Sequence, residues 1–216
     1  DSSRRELEFV FDMLEPSHYF VCYDLRQSIY RWKGAEPRLL VKYLKETGAT
    51  FYSLNENYRN GSEILNYAKW IIARVGMEDD SICATHKKGR KEKVTFTYDS
   101  LINSFKERKD YGHWAILTRD NRTLENIARG FQKNGIPFNT FKQSELKHKD
   151  LREKLKENKL TLLTVHSAKG LAWDNVITFG LRWPKEYARD FEEETCINYV
   201  AATRAKEALI VGNIRK

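Results

Sequence analysis

Trp114-Ala-Ile-Leu-Thr-Arg-Asp-Asn-Arg-Thr-Leu-Glu-Asn-Ile-Ala-Arg-Gly-Phe-Gln-Lys133 passes from an apolar, β-rich run straight into a helical pattern. The run Trp114–Thr118 reads as a strand and Thr123–Lys133 as a helix. The same alternation extends outward in both directions. Further strands are expected at Tyr19–Tyr23, Thr50–Leu54, Lys93–Thr97, Leu160–Val165, Asn175–Phe179 and Ala208–Val211. Further helices are expected at Glu36–Glu46, Ser62–Val75 and Glu194–Ala205. In Ser62–Val75, Ile64, Leu65, Ala68, Ile71 and Ile72 recur at three- and four-residue steps, the buried stripe of an amphipathic helix, with Ser62 as its N-cap. Strands separated by helices build βαβ units, so the expected fold class is α/β, a mostly parallel sheet flanked by helices. Two charged stretches, Met77–Lys93 and Phe141–Lys159, read as solvated faces.

With 216 residues, of which 41% are hydrophobic, the chain is long enough to bury a real core. Lys and Arg outnumber Asp and Glu by 38 to 30, a balance that suits a polyanionic partner and equally a solvated basic surface. Cys22, Cys83 and Cys196 stand far apart with no CxxC spacing. That argues against a zinc site or disulfide framework built on them, and Cys22, in an apolar run, is expected in the core. No stretch of ~18 apolar residues predicts a membrane span, and no signal peptide is evident, so a cytoplasmic location is expected.

Four clusters follow strands or lie on a helix. Asp24-Leu-Arg-Gln-Ser-Ile-Tyr-Arg-Trp-Lys-Gly-Ala35 follows a strand, where α/β sheets bind ligands. There Gln27 can both donate and accept, and Trp32 beside Lys33 pairs a stacking surface with a phosphate-binding charge; packing against the sheet is the alternative for Tyr30 and Trp32. Leu54-Asn-Glu-Asn-Tyr-Arg-Asn60 joins a ring, Tyr58, to a guanidinium, Arg59, whose fork matches phosphate oxygens. Leu163-Thr-Val-His-Ser-Ala-Lys-Gly-Leu-Ala-Trp-Asp174 offers Thr164, His166 and Ser167 as donors for a backbone. Asn198-Tyr-Val-Ala-Ala-Thr-Arg-Ala205 sets Arg204 on a small-residue, apolar helix, where it requires a partner anion or carboxylate. No GxxxxGK[ST] phosphate cradle is present.

In this order the clusters resemble the third, fourth, fifth and sixth motifs of the UvrD/Rep family of superfamily 1 DNA helicases. Ala115–Phe138 resembles the segment between the fourth and fifth motifs, so the likeness spans nearly the whole chain. It implies a RecA-like fold without its own P-loop, residues 1–216 forming the second motor domain, with the large accessory insertion absent or vestigial. Asp1 resembles the final aspartate of the family's second motif. The implied protein is an ATP-dependent helicase or translocase on single-stranded or partly duplex DNA. Its upstream RecA-like domain would supply the P-loop and the Mg²⁺-binding carboxylates, so this piece alone would not hydrolyse ATP.

By matched position, the resemblance implies that Gln27 touches the ATP γ-phosphate and Tyr58 stacks on adenine. Arg59 and Arg204 would reach the γ-phosphate as arginine fingers. Trp32 would stack on a base, while Lys33, Thr164 and His166 would contact the strand. Three departures stand out: Tyr23 replaces a glycine, Ala172 replaces a carboxylate expected on the ribose, and Thr195-Cys196 replaces paired arginines. They leave room for an alternative, a non-motor domain that binds nucleic acid or protein.

Overall fold

The computed structural model describes residues 2–14, 18–141 and 148–215; Asp1 lies outside them. In chain order the elements are α1 (Arg4–Glu8), α2 (Pro37–Glu46), β1 (Glu56–Asn57), α3 (Ser62–Ala73), β2 (Ile82–Cys83), β3 (Arg90–Phe96), α4 (Tyr98–Lys106), β4 (Trp114–Thr118), α5 (Asn121–Lys133), β5 (Phe138–Asn139), α6 (His148–Lys156), β6 (Leu160–Thr164), β7 (Trp173–Phe179), α7 (Phe191–Ala202) and β8 (Ala205–Ile214). Six strands form one sheet in the order β3-β8-β7-β4-β6-β5, and every neighbouring pair is parallel. β1 and β2 pair separately, also in parallel.

All five residues of β4 are buried, as a central strand covered on both faces requires. Successive side chains point to opposite faces, and the two cores follow that alternation. Ala115, Leu117, Leu163 and Val176 join Ile64, Ile71 and Ile197 on the face covered by α3 and α7. Trp114, Ile116, Leu162 and Ile177 join Phe105, Ile127 and Phe131 on the face covered by α4 and α5. Each such Leu, Ile or Phe contributes about 1.5–3 kcal/mol by leaving water, so register is strongly specified across the middle of the sheet.

The five apolar residues of the α3 stripe are all buried. Ser62 is nevertheless not the cap. Gly61 occupies that position, and the first helical N–H groups are met by backbone: Ser62 N donates to Lys87 O (2.9 Å) and Glu63 N to Lys88 O (2.9 Å). A Cβ on Gly61 would stand 2.7 Å from the Gly89 backbone, so this close approach needs glycine. α4 was not expected from periodicity; Thr97 and Ser100 cap it with reciprocal hydrogen bonds.

Tyr19–Tyr23 and Thr50–Leu54 do not form strands. Extended backbone becomes a strand only beside another, and neither segment has a partner among the described residues. Their apolar side chains stay in solvent: Phe20 is 90% exposed, Tyr52 86% and Leu54 94%. Cys22, expected in the core, is exposed for the same reason. Within the charged Met77–Lys93 stretch, Asp79 is buried rather than solvated, and β2 and most of β3 form there. No helix of the described residues is long and apolar enough to cross a membrane.

Candidate functional site

Gln27 ends a single 3₁₀ turn, Leu25–Gln27, capped by Asp24, whose carboxylate accepts from Arg26 N (3.0 Å). The same carboxylate accepts from Gln27 Nε2 (2.7 Å) and Arg26 Nε (2.8 Å). Arg26 Nη1 reaches Asp79 Oδ1 at 2.6 Å, and the Tyr199 hydroxyl donates to Asp79 Oδ2 at 2.8 Å. Burial acts to raise the Asp79 pKa, but hydrogen bonds from Ser81 and Tyr199 and the Arg26 charge hold it below the usual range. The turn that carries Gln27 is thereby tied to the middle of α7. Gln27, Asp24, Ser28 and Lys169 line one side of an open cleft of about 570 Å³.

Three of the residues expected on a nucleic-acid strand gather around Tyr30. Trp32, in the 3₁₀ turn Arg31–Lys33, is 66% exposed, which corrects any packing role against the sheet. Lys33 Nζ lies 5.0 Å from the Trp32 ring centroid and 5.1 Å from that of Tyr30. The Tyr30 hydroxyl donates to His166 O (3.1 Å), and the two rings are 5.7 Å apart. Lys169 Nζ stands 5.4 Å from the Tyr30 ring. Thr164, at the carboxyl end of β6, turns its hydroxyl to Ser167 Oγ at 3.1 Å.

Burial, and next the Arg119 charge, lower the His166 pKa below its usual 6.5. The unfolded chain therefore takes up this proton first as pH falls. The stability from keeping His166 neutral is full above 6.5 and is lost as pH falls towards the lower folded value. Urea unfolding across that window should show a step that His166→Gln removes; an unchanged profile would contradict the assignment.

Tyr58 and Arg59 are both exposed, Tyr58 at 71%, and the Tyr58 hydroxyl is hydrogen-bonded to Glu56. Their loop is anchored by Asn60, fully buried, whose Nδ2 donates to Thr203 O (3.2 Å) and to Ala205 O. Arg204 lies in the turn between α7 and β8, not in the helix, and is 1% exposed. No carboxylate pairs with it among the described residues. Its Nε donates to Val200 O (3.0 Å), Nη1 to Leu171 O (3.1 Å) and Nη2 to Thr203 Oγ1 (3.0 Å). Burial first, then the nearby Arg59 charge, bring its pKa down to about 10. Burial and Arg204 lower that of Lys169, against Asp24.

Folding thus brings Arg59, Lys169 and Asp24, the partner of Gln27, within electrostatic reach of Arg204, from four distant stretches of sequence. Sequence reasoning missed Lys169, Asn60 and Asp79. The lysine follows a strand and sits beside a glycine, which was a usable signal; nothing local marks the other two. Among the described residues no group of three His, Cys, Asp or Glu side chains is placed to hold a metal.

The family model of the UvrD-like helicase C-terminal domain matches residues 52–149 and 141–216. A probable DNA helicase of Mycoplasma pneumoniae is 28% identical over 99% of this chain and 42% of its own length. The ATP-dependent DNA helicase PcrA of Staphylococcus epidermidis is 40% identical over 53% of this chain and 17% of its own. Rep of Escherichia coli is 28% identical over 56% of the chain and 20% of its own. The chain therefore spans less than half the length of each of these relatives. In solved structures, the C-terminal domain of a possible DNA helicase from Lactobacillus plantarum superposes with a TM-score of 0.50 and 16% identity, over 73% of this chain and 88% of that one. That likeness concerns the fold.

Proposed function

The chain belongs to the UvrD-like helicase C-terminal domain family, and from that premise we propose that it is one half of an ATP-driven motor that moves along single-stranded or partly duplex DNA. The observation that carries the proposal is Arg204, buried, hydrogen-bonded directly to neutral acceptors alone and within reach of the Arg59 charge. A guanidinium in such surroundings is suited to a phosphate, whose charge would relieve the mutual repulsion of the two arginines. ATP would lie between this domain and an upstream P-loop domain, which would also hold Mg²⁺. On this side Gln27 would meet the γ-phosphate, Tyr58 would stack on adenine, and Arg59 and Arg204 would stabilise the charge that develops during transfer.

Residues 1–51 precede the family match, and two unpaired segments, one within them and one at the start of the match, support the partnership. Pairing of residues 19–23 and 50–54 with strands of the upstream domain would cover Phe20, Tyr52 and Leu54 and satisfy their backbone. Closure and opening of the cleft would then be felt at Gln27 and, through Asp24, Arg26, Asp79 and Tyr199, at α7.

DNA-stimulated ATP turnover by the full-length protein tests the motor reading. Binding without turnover would favour a domain that only holds nucleic acid or protein. For the grip itself, Trp32→Ala should weaken single-strand binding by about 1–3 kcal/mol, the loss of one stacked base. A titration with fluorescent oligothymidylate reads this directly, and an unchanged affinity would remove Trp32 from the strand.

A further inference from the structure

We propose that Tyr67, Trp70 and Trp183 form a second stacking platform for unpaired nucleic-acid bases, apart from the Trp32 patch. This rests on the nucleic-acid reading above and adds a binding site to it.

Tyr67, Trp70 and Arg74 follow one another at three- and four-residue steps, so they share one face of α3 and its C-terminal turn. Ile64, Leu65, Ala68, Ile71 and Ile72 form the buried stripe of the helix, and Tyr67 flanks it, half-buried against the same core. Trp70 takes no part in that packing and remains 55% exposed. Tyr67 and Trp70 stack with centroids 5.6 Å apart and planes within 14°. Trp183, from the loop after β7, adds a third ring 5.8 Å from Trp70 and is itself 38% exposed.

Cations border two of the three rings. Lys91 Nζ, from the edge strand β3, stands 4.4 Å from the Tyr67 centroid, and the Arg74 guanidinium carbon 5.2 Å from that of Trp183. Two neighbouring exposed indoles offer apolar surface of the kind that binding sites present. Lysine is depleted in protein–protein interfaces, whereas aromatic faces bordered by Lys and Arg are the composition of single-strand grooves. The formal charge of +8 acts in the same direction.

The position also suits a strand already held at Trp32. Arg31, the neighbour of Trp32, pairs with Glu192 (2.6 Å), and Phe191, the neighbour of Glu192, lies 5.1 Å below Arg74. The two aromatic patches therefore border the same end of α7. A short oligonucleotide can occupy the first alone, and a longer one can reach both.

Full-length protein should be titrated with short and long oligothymidylate, reading tryptophan quenching and affinity. The double variant Trp70→Ala with Trp183→Ala should lose about 5- to 150-fold in affinity for the long oligonucleotide per stacked base removed, and little for the short one. Trp32→Ala should weaken both. Trp70→Phe, which keeps a stacking face, should retain long-strand affinity, and Lys91→Glu should lower it with a shallower salt dependence. These last two variants leave the buried face of α3 untouched and guard against misfolding of the double variant. Wild-type affinity of the double variant for the long strand overturns the platform. If Trp32→Ala is then also silent, the nucleic-acid reading fails with it; if Trp32→Ala still acts, only the platform fails.

Discussion

Replacing Arg204 by alanine is expected to cut DNA-stimulated ATP turnover of the full-length protein by about 10³-fold or more, the scale of a lost arginine finger. The guanidinium is held at three points by Val200 O, Leu171 O and Thr203 Oγ1, so its direction is set before any ligand arrives. Pre-set charge of this kind acts on the transition state more than on the bound substrate, so kcat should fall far more than KM rises. Arg204→Lys is the sharper control, since it keeps a charge and loses the fork. It should remain severely impaired while circular dichroism and the urea midpoint stay closer to wild type than for alanine. Turnover near normal in either variant would sink the proposed role.

A second large effect is expected in stability. Glu194, 3% exposed at its side chain, takes Arg119 Nη2 at 2.6 Å and Nε at 2.9 Å, joining the end of β4 to the first turn of α7. Arg119→Ala would leave that carboxylate buried, with Arg182 at 3.8 Å and largely exposed as its remaining cation. Removing one partner of a buried pair typically costs about 3–5 kcal/mol, because the other charge stays desolvated. For a domain of this size that is a fall in Tm of about 6–20 °C. The urea midpoint should drop at unchanged slope, and adding Glu194→Gln should recover part of the loss. A loss below about 1 kcal/mol would place the pair among ion pairs of little consequence.

Much of the fold was legible because its signals are local. β4 was read to the residue, the α3 stripe was read correctly, and the other sheet strands were displaced by a few residues at their ends. The two failed strands, Tyr19–Tyr23 and Thr50–Leu54, have the composition of strands, but a strand also needs a neighbour. The motif residues were legible as chemical types. Their surroundings were not: within the described residues Arg204 is held by two carbonyls and a hydroxyl from three separate positions, with no carboxylate paired to it.

What the sequence by itself determined is the α/β class, the motif order and the residue types available to phosphate and base. Apolar periodicity and side-chain chemistry belong to contiguous residues and survive without knowledge of the fold. Only the tertiary structure decided the order β3-β8-β7-β4-β6-β5, the Arg26–Asp79–Tyr199 tie, the reach of the Arg59 charge to Arg204, and the rings of Tyr67, Trp70 and Trp183. Each joins residues far apart in the chain, and burial of the two cores chooses among the pairings that local pattern leaves open. The Trp114–Lys133 stretch shows both sides: its strand and helix could be read alone, but Arg119 acquired its meaning only when Glu194 was buried against it.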